Sequence, residues 1–153
     1  MEKEELKGMG PLGRKDIAFH MKWISDRIKQ MSDAELSRLS LTYAQASILF
    51  FLEKRGGEAT QKEIEDFLQV AHPTTVGLVS RMGKNGFVVC RPDQVDRRNK
   101  LVAMTEKAKA VYPEITSIRK RVGEHVMRGV SAKDKEELQR ILSIMIQNIS
   151  VTG

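Results

Sequence analysis

Cysteine is nearly absent from the 153-residue sequence, which contains only Cys90. A single thiol cannot form an internal disulfide, and the N-terminal residues hold no apolar signal core, so we expect a cytoplasmic protein in a reducing compartment. Cys90 follows two valines and is interpreted as an inert apolar residue, with a redox role as the alternative. Apolar runs are shorter than the roughly 18 residues that a membrane-spanning helix needs, so no membrane partner is expected.

Motifs that carry catalysis or metal binding are also missing. The sequence has no glycine-rich phosphate loop, no nucleophile elbow and no helical pair of histidine ligands. Its three histidines, His20, His72 and His125, lie far apart in the chain without acidic or cysteine partners at ligand spacing. We therefore predict a protein that is not an enzyme and that needs neither a cofactor nor a metal ion.

Acidic residues are outnumbered by basic ones, and the excess is concentrated in one segment. The chain carries 26 Lys and Arg against 20 Asp and Glu, which gives a net charge of +6. Six basic and two acidic residues lie between Ala71 and Lys100, so this segment alone carries +4. Lys and Arg bind polyanions because they neutralise phosphates and release condensed counterions. The composition therefore favours a nucleic acid partner.

Helical patterns occupy both ends of the chain. Apolar residues recur at steps of three and four within 17–31, 108–122 and 138–149, which is the spacing of one helix face. We expect 16–40 and 105–153 to form a helical dimerisation region, because these stripes have little else to bury against. Ordinary intramolecular core is the alternative. The positions predicted to lie at the dimer seam are Ile17, Met21, Ile24, Ile28, Leu138, Ile141, Leu142, Met145 and Ile149.

The region 41–104 carries the signals of three short helices. Thr42 with Gln45, and Thr60 with Glu63, have the spacing that satisfies exposed amides reciprocally at a helix start. Gly56 and Gly57 predict the end of the first of these helices. Pro73 suits the first position of the third helix, where its missing amide hydrogen costs nothing. A tight turn at 69–72 joins the second and third helices, which is the arrangement of a helix-turn-helix.

A β-hairpin is predicted to follow these helices. The runs Phe87–Arg91 and Lys100–Met104 are rich in β-favouring residues and flank a charged turn at 92–99. Residues 1–15, with their glycines and scattered charges, predict a flexible arm. The predicted fold class is mainly α with a small β-hairpin wing (α+β), a winged helix-turn-helix with N- and C-terminal dimerisation helices.

A fold of this kind places its second helix in the major groove of double-stranded DNA. The basic turn of the hairpin suits a narrow minor groove, whose negative potential attracts Arg, and the carboxylate of Asp96 can hold an Arg fork in place. The predicted DNA-binding residues are His72, Pro73, Thr74, Thr75, Gly77, Leu78, Arg81, Arg97, Arg98 and Lys100.

Four segments resemble landmarks of the MarR-type regulators (multiple antibiotic resistance regulators), in the order and spacing of that family. They are Leu41–Gln45, Gly86–Val88, Asp96–Arg98 and Met104–Lys107. The resemblance implies a triangular homodimer in which the N-terminal helix and the last two helices interlock. It also implies that Arg98 enters the minor groove and that Asp96 orients it.

The residues and the resemblance together predict a sequence-specific transcription regulator. We expect a repressor that binds a pseudo-palindromic operator as a homodimer. A small aromatic or anionic ligand is expected to release it from the operator. A winged-helix protein-interaction module without ligand response is the alternative, and its recognition surface would be apolar or acidic rather than basic. The family often has Thr, Arg and Arg where this chain has Val76, Gly77 and Cys90. The operator sequence therefore does not follow from the resemblance.

A ligand pocket is predicted beside the apolar seam of the first helix. His20, Trp23 and Arg27 step by three and four along one face and supply an aromatic plate, a cation and a titratable ring. The resemblance implies a pocket between the dimer helices and the winged module, to which Tyr43 and Phe50 would contribute. The alternative is that Trp23 packs in an interface while His20 and Arg27 are solvated.

Overall fold

The computed structural model describes residues 16–150. The predicted flexible arm, 1–15, lies outside these residues. The chain divides into two compact units, Met1–Val122 and Gly123–Gly153. In the part that the structure describes, no helix is both long enough and apolar enough to cross a membrane.

Helices and a small sheet alternate in the order that the sequence predicts. The helices are α1 Ile17–Leu36, α2 Tyr43–Lys54, α3 Gln61–Leu68, α4 His72–Lys84, α5 Glu106–Val126 and α6 Ala132–Ser150, and the strands are β1 Glu58–Thr60, β2 Val88–Pro92 and β3 Lys100–Met104. The sheet is antiparallel with the order β1-β3-β2. The predicted hairpin therefore forms from β2 and β3, and β1 adds a third strand to it.

The sequence signals at the ends of α2 are confirmed. The backbone N–H of Gln45 donates to Thr42 Oγ1 over 3.2 Å, and the Thr42 N–H donates to Gln45 Oε1 over 3.1 Å. After the helix, Gly56 and Gly57 adopt φ angles of 82° and 103°. The Gly57 N–H then donates to the Leu52 carbonyl over 2.8 Å, which closes the helix end.

The start of α3 differs from the predicted capping arrangement. The Glu63 N–H does donate to Thr60 Oγ1, over 3.1 Å. The Glu63 carboxylate, however, accepts from Arg55 over 2.9 Å, so it forms an ion pair with a residue at the end of α2. Thr60 is also the last residue of β1. The hydroxyl cap therefore joins a strand directly to a helix.

The core of the first unit lies between α2, α3, α4, α5 and the sheet. Its fully buried large side chains include Ile48, Leu49, Leu52, Ile64, Met82, Phe87, Val88, Val102 and Ile118. Helix α4 contributes one face to this core and turns the other face outward. The C-terminus of α4 is fixed by Gly86 at φ 79°, whose carbonyl accepts from Thr105 Oγ1 over 2.6 Å.

Helices α1 and α6 each carry apolar side chains on their surfaces. On α1, Ile17, Met21 and Ile24 are exposed and Ile28 is half-buried; on α6, Leu138, Ile141 and Ile149 are exposed and Leu142 and Met145 are half-buried. No residue of α6 is buried within the described part of the chain. All nine predicted seam positions thus keep apolar surface in contact with solvent.

Candidate nucleic-acid interface

The outward face of α4 presents polar and charged groups from the first turn onward. The helix begins at His72, one residue earlier than predicted, so Pro73 occupies its second position. His72, Pro73, Thr74 and Arg81 are all exposed. The N-cap residue, Ala71, has no side-chain hydrogen bond to offer the first turn. The partial positive charge at this helix end therefore faces solvent without a capping side chain.

Two of the predicted DNA-binding residues point into the protein instead. Thr75 is 0% exposed and Leu78 is 8% exposed, because they share the inner face of α4 with Val79 and Met82. These positions follow the spacing of three and four residues that defines one helix face. The predictions of DNA contact for Thr75 and Leu78 are therefore wrong.

The burial of Thr75 predicts the effect of removing its hydroxyl. Its Oγ1 is buried and has no hydrogen-bond partner among the described residues. We expect Thr75→Val to raise the free energy of unfolding by about 1 kcal/mol, because an apolar group of the same shape avoids the desolvation of an unpaired hydroxyl. Urea unfolding measures this change, and Thr74→Ala, at an exposed position, serves as the comparison. Weaker DNA binding by Thr75→Val at unchanged stability would restore Thr75 to the interface.

The side chain of Arg81 lies against the helix backbone at Gly77. A Cβ atom placed on Gly77 would lie 3.5 Å from Arg81 Nη1. The Arg81 guanidinium therefore lies over the bare backbone one helical turn earlier. Glycine inside a helix costs roughly 0.5 to 1 kcal/mol relative to alanine, and here the open space is occupied by a cation that can bind guanine or phosphate.

The wing tip holds one arginine in a fixed arrangement. Asp96 Oδ1 accepts from the backbone N–H of Arg98 over 3.1 Å and from its Nε over 3.2 Å. Arg98 Nη2 lies 3.4 Å from the second carboxylate oxygen. The tip is closed by the Asn99 N–H, which donates to the Asp96 carbonyl over 3.0 Å. The predicted contact between Asp96 and an arginine fork is thus present, and the arginine is Arg98. The neighbouring Arg97 is exposed.

This contact depends on the ionised form of Asp96. The side-chain and backbone hydrogen bonds from Arg98 lower the pKa of Asp96 below its usual 3.8. Because the pKa in the folded state is depressed, the contribution of the contact is present above the ordinary pKa and is lost as the pH falls through the lowered value. The wing tip should therefore keep its arrangement throughout the physiological pH range.

Two of the three acidic residues of α3, next to the basic face, are paired with cations. Glu63 accepts from Arg55 over 2.9 Å and Asp66 accepts from Lys62 over 3.0 Å. Glu65 Oε2 lies 2.7 Å from His72 Nδ1, a contact between two helices that was not predicted from the sequence. Exposed ion pairs of this kind add little stability. Their consequence here is that Glu63 and Asp66 present little uncompensated negative charge beside α4.

Trp23, Asp26, Arg27 and Gln30 line a shallow hollow on the exposed surface of α1, here called the α1 cleft, which is open to solvent. Lys22 donates to Asp26 over 2.6 Å, so the acidic charge in the cleft is compensated. Arg27 donates to the neutral side chain of Gln30 over 3.2 Å and forms no ion pair within residues 16–150. The cleft therefore combines an aromatic ring with a cation whose hydrogen-bond partner is neutral.

The other three predicted pocket residues do not line this cleft. The His20 ring contacts Phe19, with ring centroids 6.4 Å apart. The Phe50 ring is covered by the Arg119 guanidinium, whose carbon lies 3.8 Å from the ring centroid. Tyr43 is half-buried at the start of α2. Within a single chain, the structure thus unites Trp23 and Arg27 but leaves His20, Tyr43 and Phe50 apart from them.

Cys90 is exposed on β2, opposite Val102 of β3. Partial burial raises the pKa of its thiol, and the opposing effect of Lys100 is smaller. A raised pKa reduces the thiolate fraction at neutral pH, and the thiolate is the reactive species. The local environment favours the inert interpretation.

Comparison with known proteins identifies this arrangement. The model of the MarR family matches residues 39–99. The uncharacterized HTH-type transcriptional regulator YwoH of Bacillus subtilis (strain 168) is 31% identical over 120 residues, which cover 78% of this chain and 86% of YwoH. The transcriptional regulator SlyA matches with a TM-score of 0.82 and 26% identity, over 89% of this chain and 95% of SlyA. The MepR–DNA complex of S. aureus matches with a TM-score of 0.76 and 22% identity, over 87% of this chain and 96% of that chain.

These matches agree with the fold built from the residues. The small antiparallel sheet and its surrounding helices form a winged helix-turn-helix of the kind found in the matched structures. The sequence identity to YwoH extends through most of both chains, well beyond the helix-turn-helix alone. Regulators of this kind are not enzymes, in agreement with the sequence prediction. The chain belongs to the MarR family of DNA-binding transcription regulators.

Proposed function

We propose that this regulator is a cytoplasmic, homodimeric repressor that binds a pseudo-palindromic operator and is released by a small aromatic or anionic ligand. The observation that carries the proposal is the wing tip, where Asp96 holds the exposed guanidinium of Arg98. A side chain held in this way loses less conformational freedom when it enters the minor groove. A protein-interaction module is instead expected to present an apolar or acidic recognition surface, and this segment is basic.

The remaining contacts follow from exposure and charge. Thr74 and Arg81 are exposed on α4 and are proposed to reach base edges in the major groove, while the exposed Arg97 and Lys100 are proposed to contact phosphates. The proposed interface consists of His72, Pro73, Thr74, Gly77, Arg81, Arg97, Arg98 and Lys100, with Asp96 as the orienting residue. Residues 41–104 thus supply the DNA-binding region.

The dimer is proposed because the chain leaves two helical surfaces apolar. Ile24 on α1 is 46% exposed and Ile141 on α6 is 42% exposed, each within a stripe of similar side chains. Contiguous apolar surface on a water-soluble chain indicates an interface, and 16–40 and 105–153 supply it here. Two-fold symmetry then presents two copies of α4 to one duplex, about 34 Å apart, which requires two inverted half-sites.

Selection of bound fragments from random duplex DNA tests the operator directly. We expect the enriched fragments to share an inverted repeat whose half-sites are centred about 10 base pairs apart. The same selection with Arg98→Ala provides the matched control and should enrich little. Absence of enrichment by the wild-type protein, or enrichment of a single asymmetric half-site, would contradict the proposal.

The ligand is proposed to occupy the α1 cleft, where Arg27 faces an anion and Trp23 stacks on an aromatic ring. Benzoate serves as the probe and should quench Trp23 fluorescence. We expect Arg27→Gln to weaken benzoate binding by about tenfold, because a charge-assisted hydrogen bond to the carboxylate is lost. Arg38→Gln, which changes a cation outside the cleft, should leave the affinity unchanged.

If the ligand releases the protein from DNA, the ligand and the operator must weaken each other's binding. If benzoate lowers the operator affinity by some factor, saturating operator must lower the benzoate affinity by the same factor. Fluorescence titration with and without operator measures this. Equal ligand affinity in both titrations would rule out the release mechanism.

A further inference from the structure

The contact between Glu65 and His72 links the supporting helix to the first residue of the reading helix. Glu65 Oε2 and His72 Nδ1 are 2.7 Å apart. The Glu65 side chain is only 18% exposed, whereas the His72 side chain is 65% exposed. An ionised carboxylate can only accept hydrogen bonds. The hydrogen between the two residues is therefore carried by Nδ1.

This assignment fixes the chemistry of the opposite side of the ring. A neutral imidazole has one N–H, so a hydrogen on Nδ1 leaves Nε2 with a lone pair. No partner for Nε2 lies among the described residues. Because most of the ring is exposed at the N-terminus of α4, the free nitrogen is available to a ligand of that helix.

We propose that Glu65 is a positioning residue for sequence readout: by accepting from His72 Nδ1–H, it makes Nε2 a hydrogen-bond acceptor for an exocyclic amino group of a DNA base. In the major groove, adenine N6 and cytosine N4 are the donors of this kind. The inference rests on the proposed placement of α4 in that groove. Without Glu65, the ring would also populate the other tautomer, whose Nε2–H suits the acceptors of guanine and thymine.

Glu63 provides a matched comparison on the same helix. It also carries one negative charge and forms one ion pair, but its partner is Arg55 at the end of α2. Glu63→Gln and Glu65→Gln therefore change the net charge near the DNA surface equally. Only Glu65→Gln changes the hydrogen-bond partner of His72.

The tautomer is tested without DNA by nitrogen-15 NMR of the histidine rings at pH 8, where an imidazole is normally neutral. The His72 signals are identified by their loss in His72→Ala. We expect the wild-type ring to show a protonated Nδ1 and an unprotonated Nε2. Glu65→Gln should shift the tautomer equilibrium toward a protonated Nε2, and Glu63→Gln should leave this equilibrium unchanged. A wild-type ring with hydrogen on Nε2, alone or together with Nδ1, would overturn the inference.

The readout is tested at pH 8 with operator duplexes in which each base pair is replaced in turn. We expect the wild-type protein to prefer one amino-bearing base in each half-site by about tenfold, and Glu65→Gln to reduce this preference to about threefold at that position only. Glu63→Gln should retain the preference, and adding Glu65→Gln to His72→Ala should not change the base preference any further. Uniformly weaker binding of Glu65→Gln to all duplexes would show a merely structural role and overturn the inference.

These two tests separate the inference from the proposed function. If the wild-type protein selects no duplex, the proposed function fails, and the NMR experiment still decides the tautomer. If an operator is selected but no position responds to His72→Ala, the inference fails while the operator-binding function stands.

Discussion

Arg98→Ala is expected to weaken operator binding by about 100-fold at 0.1 M salt while leaving the fold and the dimer unchanged. The substitution removes the guanidinium proposed to enter the minor groove. It also leaves the Asp96 carboxylate at the wing tip without its partner, so an uncompensated negative charge faces the phosphates. Losing one member of a charge pair within an interface typically costs 2 to 5 kcal/mol, which includes the penalty for the charge left behind.

The neighbouring Arg97 supplies the control for this prediction. It is exposed at the same turn but is not the residue that Asp96 holds. Arg97→Ala should weaken binding by only about threefold to tenfold and lower the salt dependence by about one counterion, as expected for a phosphate contact. Fluorescence anisotropy titrations at several salt concentrations measure both quantities. Equal losses for the two variants, or an unchanged affinity for Arg98→Ala, would remove the oriented arginine from the mechanism.

Ile24→Asp and Ile141→Asp are expected to convert the protein to a monomer at micromolar concentration and to abolish operator binding with it. Each variant places a charge in an apolar surface that dimerisation would desolvate, and an unpaired charge in such a place is strongly unfavourable. We expect the dimer dissociation constant to rise by at least about 100-fold, which corresponds to roughly 2.7 kcal/mol. Neither residue is in the core of the single chain, so the monomer should stay folded.

Sedimentation equilibrium measures this change in assembly. Val89→Asp is the control, because Val89 is exposed on β2 and lies outside the proposed dimerisation region. This variant should remain dimeric. The proposed interface would be wrong if Ile24→Asp and Ile141→Asp also remained dimeric, or if the wild-type protein were itself a monomer.

The parts of the fold that could be predicted from sequence are those fixed by neighbouring residues. The cap formed by Thr42 and Gln45 and the left-handed glycines after α2 depend on contacts within a few positions. The contact between Asp96 and Arg98 is also local, since it spans two residues. Local hydrogen bonding leaves a readable pattern in the sequence.

Strand β1 could not be predicted because it exists through pairing with a distant strand. It has only three residues, and Ala59 pairs with Val102 of β3. The burial of Thr75 was missed for a related reason. The sequence does not show which face of α4 points inward, because this depends on how the helix packs. Without that information, a polar residue near the start of the helix was predicted to contact DNA.

The contact between Glu65 and His72 was missed because it joins two helices across a turn. Gln69 adopts a left-handed conformation with φ 55° at the end of α3. The chain then turns into α4, where His72 is the first residue. The predicted ligand pocket stays a prediction: Trp23 and Arg27 share a cleft in one chain, whereas the placement of His20, Tyr43 and Phe50 beside a ligand depends on the dimer.

Hydroxyl-radical footprinting of the selected operator tests the central claim most directly, because it shows how many basic surfaces meet one duplex. We expect protection on one face of the DNA, in two symmetric patches centred about 10 base pairs apart, with flanking minor-groove protection that Arg98→Ala removes. A single unrepeated patch, or no protection at low salt, would contradict the account of two duplicated reading surfaces on one double helix.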